Sequence, residues 1–379
     1  MMTMKEIGSG VVASRPDQMY GWPGMTRAAN GDILVVASER KHHVCPFGRP
    51  VVMRSRDNGL TWSLPQEIYN SELDDRDSTI ACLPDGTLVA AWFTSAEFGD
   101  PQYARAEWRP RFGRVTEKMR EELTGDWLIR STDHGRTWEP TPHRMPVGGA
   151  EHIGPFVLSD GRLACFGYEL VDTEADMFFF TSMDQGDTWI RQGKIASEKM
   201  HKHPMDAFWP LCRGRKLPFP HVNERALLEL GPGRFLVLFR NSREGKLTEA
   251  RSEDNGRTWS HLKVTPIIGK PPHLLRLRNG AILCSYGHRA EPWSIRAVLS
   301  YDEGKTWDME NLITIDGWED HPDMGYPISL ETAPGEILTV YYCSRQPIKH
   351  APKDEATYKR GSSPEGILFK RFRLMDRKE

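Results

Sequence analysis

The segment SEDNGRTW (Ser252–Trp259) returns along the chain as SRDNGLTW (Ser55–Trp62), STDHGRTW (Ser131–Trp138), SMDQGDTW (Ser182–Trp189) and SYDEGKTW (Ser300–Trp307). Each copy reads Ser-x-Asp-x-Gly-x-Thr-Trp. The Asp carboxylate is placed to accept backbone N–H groups just downstream, and the Gly supplies a positive φ. Thr and Trp suit the start of a strand, with the indole packed beside its own turn. Every copy is therefore a self-stapled β-turn. A short motif recurring every few dozen residues is the mark of a solenoid, a propeller or an array.

The pattern resembles the Asp box of the sialidase-like β-propellers, and the resemblance covers most of the chain. A second signal precedes each box: a Gly-containing turn between apolar runs. These are Ala28–Ala37 (AANGDILVVA), Leu83–Trp92 (LPDGTLVAAW), Leu158–Gly167 (LSDGRLACFG), Leu230–Phe239 (LGPGRFLVLF), Leu277–Tyr286 (LRNGAILCSY) and Thr332–Tyr341 (TAPGEILTVY). Six inner hairpins against five boxes predict an all-β, six-bladed propeller of four-stranded antiparallel blades, forming one domain over residues 1–379. The sixth blade lacks a box. Its third strand is expected at Gly366–Leu374 and its outer strand from the N-terminus, around Ile7–Ala13, which closes the ring and removes an open edge.

Net charge is −2, so no global field argues for nucleic acid as a partner. No apolar run is long enough for a membrane span, and MMTMKEIGSG lacks the apolar stretch of a signal peptide, so a cytoplasmic protein is expected. The six Cys show no paired spacing; Cys82, Cys165, Cys284 and Cys343 read as small core residues, in keeping with a reducing compartment. His42-His43 and His201-x-His203 are too close in sequence to chelate alone, and there is no Cys-x-x-Cys, so neither metal nor cofactor is expected. Two insertions interrupt the repeat: Glu97–Asp126 in blade 2, carrying a short amphipathic helix over Val115–Leu123, and Ile195–Pro220 between blades 3 and 4.

Strand parity sorts the loops. Turns joining strands one to two and three to four share one face, so the Asp boxes lie with the inner-hairpin turns. The two-to-three loops, the blade connections and both insertions share the other face. Function concentrates on variable loops held by a rigid scaffold. On that second face nearly every inner strand opens with ionisable residues: DDRD in blade 2, AEHIGP in blade 3, PHVNERA in blade 4, GKPPHLL in blade 5, HPDMGYP in blade 6. Their convergence predicts a pocket.

Three segments resemble catalytic segments of sialidases. The resemblance implies that Glu224 (NERALLEL) and Arg240 (LFRN) are the family's Glu and one arginine of its carboxylate-binding triad. It further implies that Arg289 (GHR) is another triad arginine and Tyr326 (MGYPISL) the nucleophile. A neutral Tyr polarised by Glu is not repelled by a substrate carboxylate, whereas a carboxylate nucleophile is. Arg suits the carboxylate through its bidentate fork. Two positions depart from the family. Tyr20-Gly21-Trp22-Pro23 stands where sialidases have Tyr-Arg-Ile-Pro, leaving Arg27, Arg49 or Arg76 to substitute. The blade 1 loop KHHVCPFGR holds no carboxylate, leaving His42, His43 or Asp77 as the acid. His152, His273 and His288 complete the candidate substrate-binding set.

The expected function is a glycosidase removing an acidic sugar (sialic, ulosonic or uronic acid) from a glycan. One alternative is a polysaccharide lyase, in which Arg neutralises a uronate and His or Tyr takes the C5 proton. The other is a non-catalytic carbohydrate-binding propeller.

Overall fold

The computed structural model describes residues 2–96, 98, 108–146, 148, 154–171, 174–199, 222–317, 323–343 and 365–376. Their strands form six four-stranded antiparallel sheets, as expected. In five sheets the strands run in chain order from the inner strand outward. In the sixth, Met324–Ala333 is innermost, followed by Glu336–Cys343, Gly366–Asp376 and, outermost, the N-terminal strand Met2–Ala13. That last pairing is antiparallel from Met2↔Asp376 to Ala13↔Ile367. The closing strand is thus longer than expected, and the ring has no open edge there.

The turns behave as their chemistry dictates. In the six inner hairpins Gly31, Gly86, Gly161, Gly233, Gly280 and Gly335 all have φ between 72° and 91°. In the box Ser131–Trp138, Ser131 Oγ donates to Asp133 Oδ1 at 2.8 Å and accepts from Gly135 N at 2.8 Å. The same carboxylate accepts from Thr137 N at 2.9 Å and from Thr137 Oγ1 at 2.6 Å. All five boxes repeat this stapling, and the Asp carboxyls are held below their ordinary range. At Asp184 the Thr188 hydroxyl is the largest cause and the value falls to about 2.

Each box also locks its blade to the preceding one. A Cβ on Gly59 would stand 2.6 Å from Leu338 of blade 6, one on Gly186 3.0 Å from Leu128 of blade 2, and one on Gly304 2.6 Å from Leu236 of blade 4. Gly256 sits flush on the Phe179 ring of blade 3. Arg54 of blade 1 donates to the His134 carbonyl in the blade 2 box at 2.6 Å. Between the sheets lie apolar layers such as Phe166, Phe179, Phe235 and Phe239, with Trp259 packed against them. Each buried ring is worth about 2–3 kcal/mol.

The blade 2 insertion carries a helix at Glu117–Leu123, capped by Thr116 Oγ1 accepting from Met119 N at 3.1 Å. No residue of this helix is fully buried, so its amphipathic character is slight. Leu123 and Val115 pack beside a cluster of Val44, Cys45, Leu73, Ala96, Phe98 and Trp108. That cluster braces the blade 1 loop against blade 2. Of the second insertion, Ile195–Lys199 extends the outer strand of blade 3, and the remainder lies outside the described residues.

Candidate active site

Four inner strands break their register near their starts. The irregularities fall at Gly21/Gly24 in blade 1, Arg76/Thr79 in blade 2, Asn223/Arg225 in blade 4 and Gly325/Ile328 in blade 6. A non-glycine residue with left-handed backbone occupies each: Trp22 (φ 52°), Asp77 (52°), Glu224 (29°) and Tyr326 (54°). Such a conformation costs roughly 1–3 kcal/mol per residue and is held only where its surroundings enforce it. A bulge re-aims a side chain that the regular pleat would send into the sheet. Here four strands do so at matching heights around the funnel.

The side chains meet. The Tyr326 hydroxyl donates to Glu224 Oε1. Glu224 Oε2 accepts from Arg240 Nη1 at 2.7 Å. The Arg289 guanidinium lies 5.7 Å from the centre of the Tyr326 ring. Arg289 donates from Nε to the Met324 carbonyl at 2.9 Å and from Nη2 to the Tyr342 hydroxyl at 3.2 Å. Tyr342 in turn donates to Asp323 Oδ1 at 2.6 Å. Burial, then the charges of Glu224 and Asp77, push the Tyr326 phenol well above its ordinary value, so it stays protonated unless a base takes its proton. Burial works against the Arg240 charge, but Glu224 beside it outweighs that cost and raises its pKa.

The opposite wall is built on Trp22. Its ring meets Tyr326 at 6.5 Å and Tyr342 at 6.0 Å, and carries the Arg40 and Arg76 guanidiniums at 4.9 and 5.2 Å. Arg40 is fully buried and paired with Asp74, whose second oxygen accepts from Cys45 N at 3.2 Å. Gly48 permits this pair, since a Cβ there would collide with both partners. Asp77 is buried, and its Oδ1 has no hydrogen-bond partner among the described residues. Burial raises its carboxyl to about 7; Arg76 opposes the shift and Glu224 adds to it. At pH 7 about half of this carboxyl is therefore protonated, inside a pocket that also holds a Tyr and a Glu.

Other candidates stand elsewhere. His43 is exposed and meets the Trp22 ring edge-on at 5.0 Å, at the rim. Arg49 is engaged by Glu39 at 2.9 Å and Glu67 at 3.0 Å on the blade 1 flank. Arg27 donates to Asn58 on the box face. His273 accepts from Ser329 N at 3.3 Å and is pushed down to about 4 by burial. His288 faces the Pro292 carbonyl at 3.3 Å. His152 lies outside the described residues.

Lys270, Asp323, Tyr342, Arg40 and Asp74 have no role legible in the sequence alone, and Trp22 none beyond its place in the altered motif. Tyr342 reads as core in ILTVYYC, and only the fold turns it toward Arg289. Lys270 stood in GKPPHLL, where the strand-start pattern did mark the position. Among the described residues no group of three or more His, Cys, Asp or Glu is placed to hold a metal, and no helix is long and apolar enough to cross a membrane. A cavity of about 220 Å³ lies between blades 6 and 1, with Met19, Tyr20, His42 and Cys343 in its wall and none of the relay residues lining it.

The BNR repeat-like domain family model matches residues 112–338, more than half of the chain. The chain belongs to that family. Beyond the match, this BNR repeat-like propeller is 22% identical to a sialidase of Paraclostridium sordellii over 267 residues, covering 64% of the chain and 57% of that relative. It therefore spans little more than half the relative's length. Among solved structures it is similar to a protein of unknown function from Dyadobacter fermentans (TM-score 0.72, 19% identity, 98% of this chain and 99% of that one). It is also similar to the NanB sialidase from Streptococcus pneumoniae (TM-score 0.61, 15% identity, 97% and 70%). At these identities the structural likeness speaks for the fold, a sialidase-like BNR propeller.

Proposed function

We propose that this protein is a glycoside hydrolase that removes a terminal acidic sugar through a tyrosyl-glycoside intermediate. The observation that carries the reading is the relay Tyr326–Glu224–Arg240, assembled from blades 6 and 4, with Arg289 of blade 5 against the Tyr ring. The sialidase relative supports the same chemical class. The charges of the pocket support an anionic substrate: Arg40, Arg76, Arg240, Arg289 and Lys270 outnumber Asp74, Glu224 and Asp323, while Asp77 is only partly ionised at neutral pH.

In the first step Glu224 takes the phenolic proton as Tyr326 Oη bonds to the anomeric carbon. The bond from that carbon to the leaving oxygen breaks, and Asp77 supplies the proton to that oxygen. Arg240 stabilises the relay, and Arg240 with Arg289 binds the sugar carboxylate. In the second step the Asp77 carboxylate takes a proton from water, which attacks the anomeric carbon. Tyr326 leaves and recovers its proton from Glu224. Asp77 is preferred to His43 as the acid because it is buried, is half-protonated near neutral pH and has an unpartnered oxygen.

The lyase alternative takes His or Tyr as its base; of its described histidines, His273 and His288 are engaged with backbone groups, while His43 stands exposed against Trp22. The test is Tyr326→Phe with aryl glycosides of sialic and uronic acids. Turnover is expected to fall by at least about 10³-fold with binding of the free acid retained. Unchanged turnover sinks the nucleophile assignment, and an unsaturated uronate product would replace hydrolysis by elimination.

A further inference from the structure

Glu224 holds a left-handed backbone near the start of the strand Val222–Gly231, a conformation that persists only where its surroundings enforce it. The residues flanking it are tied to one strand of the neighbouring blade, Leu163–Val171 of blade 3. Before Glu224, the Val222 carbonyl accepts from the Tyr168 hydroxyl at 2.9 Å. After it, the Arg225 guanidinium crosses to blade 3 and donates from Nη2 to the Phe166 carbonyl at 2.7 Å. The same Nη2 donates to the Gly148 carbonyl, where the chain enters blade 3.

Arg225 is 1% exposed, and its guanidinium stands 5.8 Å from the centre of the Phe166 ring and 5.5 Å from that of Tyr168. A charge carried out of water is costly unless its N–H groups are bonded, so this side chain cannot shift without losing them. The groups it holds are themselves fixed. Gly148 N donates at 2.8 Å to the buried Asp126 carboxylate of blade 2, so Gly148 is gripped from blade 2 and from blade 4. A Cβ on Gly148 would stand 2.5 Å from the Tyr168 ring, and its φ is 78°, so glycine alone lets these groups meet.

The strand register shows what the anchoring does. Asn223 pairs with Arg240 and Arg225 with Phe239, which leaves Glu224 as the extra residue of a bulge. Arg225 is thereby sent into the interface with blade 3, and Glu224 into the funnel toward Tyr326 and Arg240. We propose that Arg225 is the positioning residue of the relay, holding the bulge from which Glu224 is aimed at the Tyr326 hydroxyl. It touches neither the substrate nor the reacting atoms, and acts through the backbone it pins to blade 3. The inference takes the role of Glu224 from the proposed hydrolase mechanism.

The experiment compares Arg225→Met, Arg225→Lys and Gly256→Ala on aryl glycosides of sialic and uronic acids, and adds a crystal structure of Arg225→Met. Gly256→Ala loosens the same interface between blades 3 and 4 from the box face, far from the bulge, and controls for lost stability. Arg225→Met is expected to lower kcat about 10²-fold with KM changed less than about threefold, and Arg225→Lys, which keeps a buried donor, to recover part of that loss. Gly256→Ala is expected to lower the melting temperature and keep kcat. In the crystal structure the Asn223/Arg225 bulge is expected to relax and the Tyr326–Glu224 hydrogen bond to part. A kcat within about threefold of wild type in Arg225→Met, or an equal fall in Gly256→Ala, overturns the positioning role. Should Arg225→Met not fold, Tyr168→Phe removes only the bond to Val222 on the other side of Glu224. Its kcat is expected to fall about 3- to 10-fold at constant KM, and an unchanged kcat overturns the bracket. If the wild-type protein turns over none of these glycosides, the hydrolase reading fails and the structure still decides the inference: Glu224 at its positive φ and bonded to Tyr326 in Arg225→Met refutes it.

Discussion

Replacing Asp77 by Asn tests the acid assignment through stability as well as through rate. Asp77 is buried, and its carboxyl is raised from the ordinary 3.8 to about 7. Between those values the folded protein holds a proton that the unfolded chain releases. Stability is then full below the unfolded pKa and falls as pH rises through the folded one. At 1.36 kcal/mol per pH unit, the ionised carboxylate costs roughly 4 kcal/mol by pH 8. Asn keeps the shape, tolerates the left-handed backbone and never ionises. Urea midpoints measured from pH 4 to 8.5 are therefore expected to coincide at the acid end. Above pH 7 the Asn variant is expected to be more stable, by up to that amount. The same variant is expected to lose about 10²–10⁴-fold in kcat on alkyl glycosides, and much less in the first turnover of aryl glycosides, whose leaving groups need no proton. Parallel stability curves across the pH range would refute the burial argument. Equal losses on both substrate classes would remove Asp77 from the role of acid.

Two further outcomes follow from the scaffold. Gly256→Ala puts a Cβ inside the Phe179 ring's surface at φ 78°, so it is expected to cost about 3 kcal/mol or more by thermal melting while leaving the kcat of the folded protein unchanged. Deleting residues 2–13 strips the partner from the strand Gly366–Asp376, and light scattering is expected to show self-association through the exposed edge; a stable monomer would contradict the closure argument.

The blade count, the six hairpins, the closing strand and the insertion helix were legible because each is written in local turn and capping chemistry that repeats along the chain. The box glycines carried less visible information. Their contact with the preceding blade needs the ring, and no local pattern announces it. The site divides in the same way. Tyr326, Glu224, Arg240 and Arg289 stood out through their resemblance to sialidase segments, and the fold brings them together although Tyr326 and Glu224 are 102 residues apart. Lys270 and Asp323 are marked only by the strand-start pattern, and Tyr342 carries no signal at all, since its partners come from another strand and another blade. Arg49 shows the converse. The missing blade 1 triad arginine made it a candidate substitute, while Glu39 and Glu67, which engage it, are visible as its partners only once the sheet pairs them.

Five boxes serve six interfaces between blades. The box of each blade grips the blade before it, so the interface that no box guards lies between blades 5 and 6. Other links span that seam: Arg278 N to Glu331 at 2.7 Å, Ser285 to Ser329 at 3.1 Å and Tyr341 to Asp316 at 2.6 Å. Across the same seam Arg289 reaches the Met324 carbonyl and covers the Tyr326 ring. The one seam without a box, filled by an apolar layer that includes Leu283, Ala297, Ile337 and Tyr341, is therefore the seam at which the charge clamp faces the reacting oxygen. An anion bound against Arg289 of blade 5 and Tyr326 of blade 6 would bridge the two blades that no box joins, and so would stand in for the sixth latch.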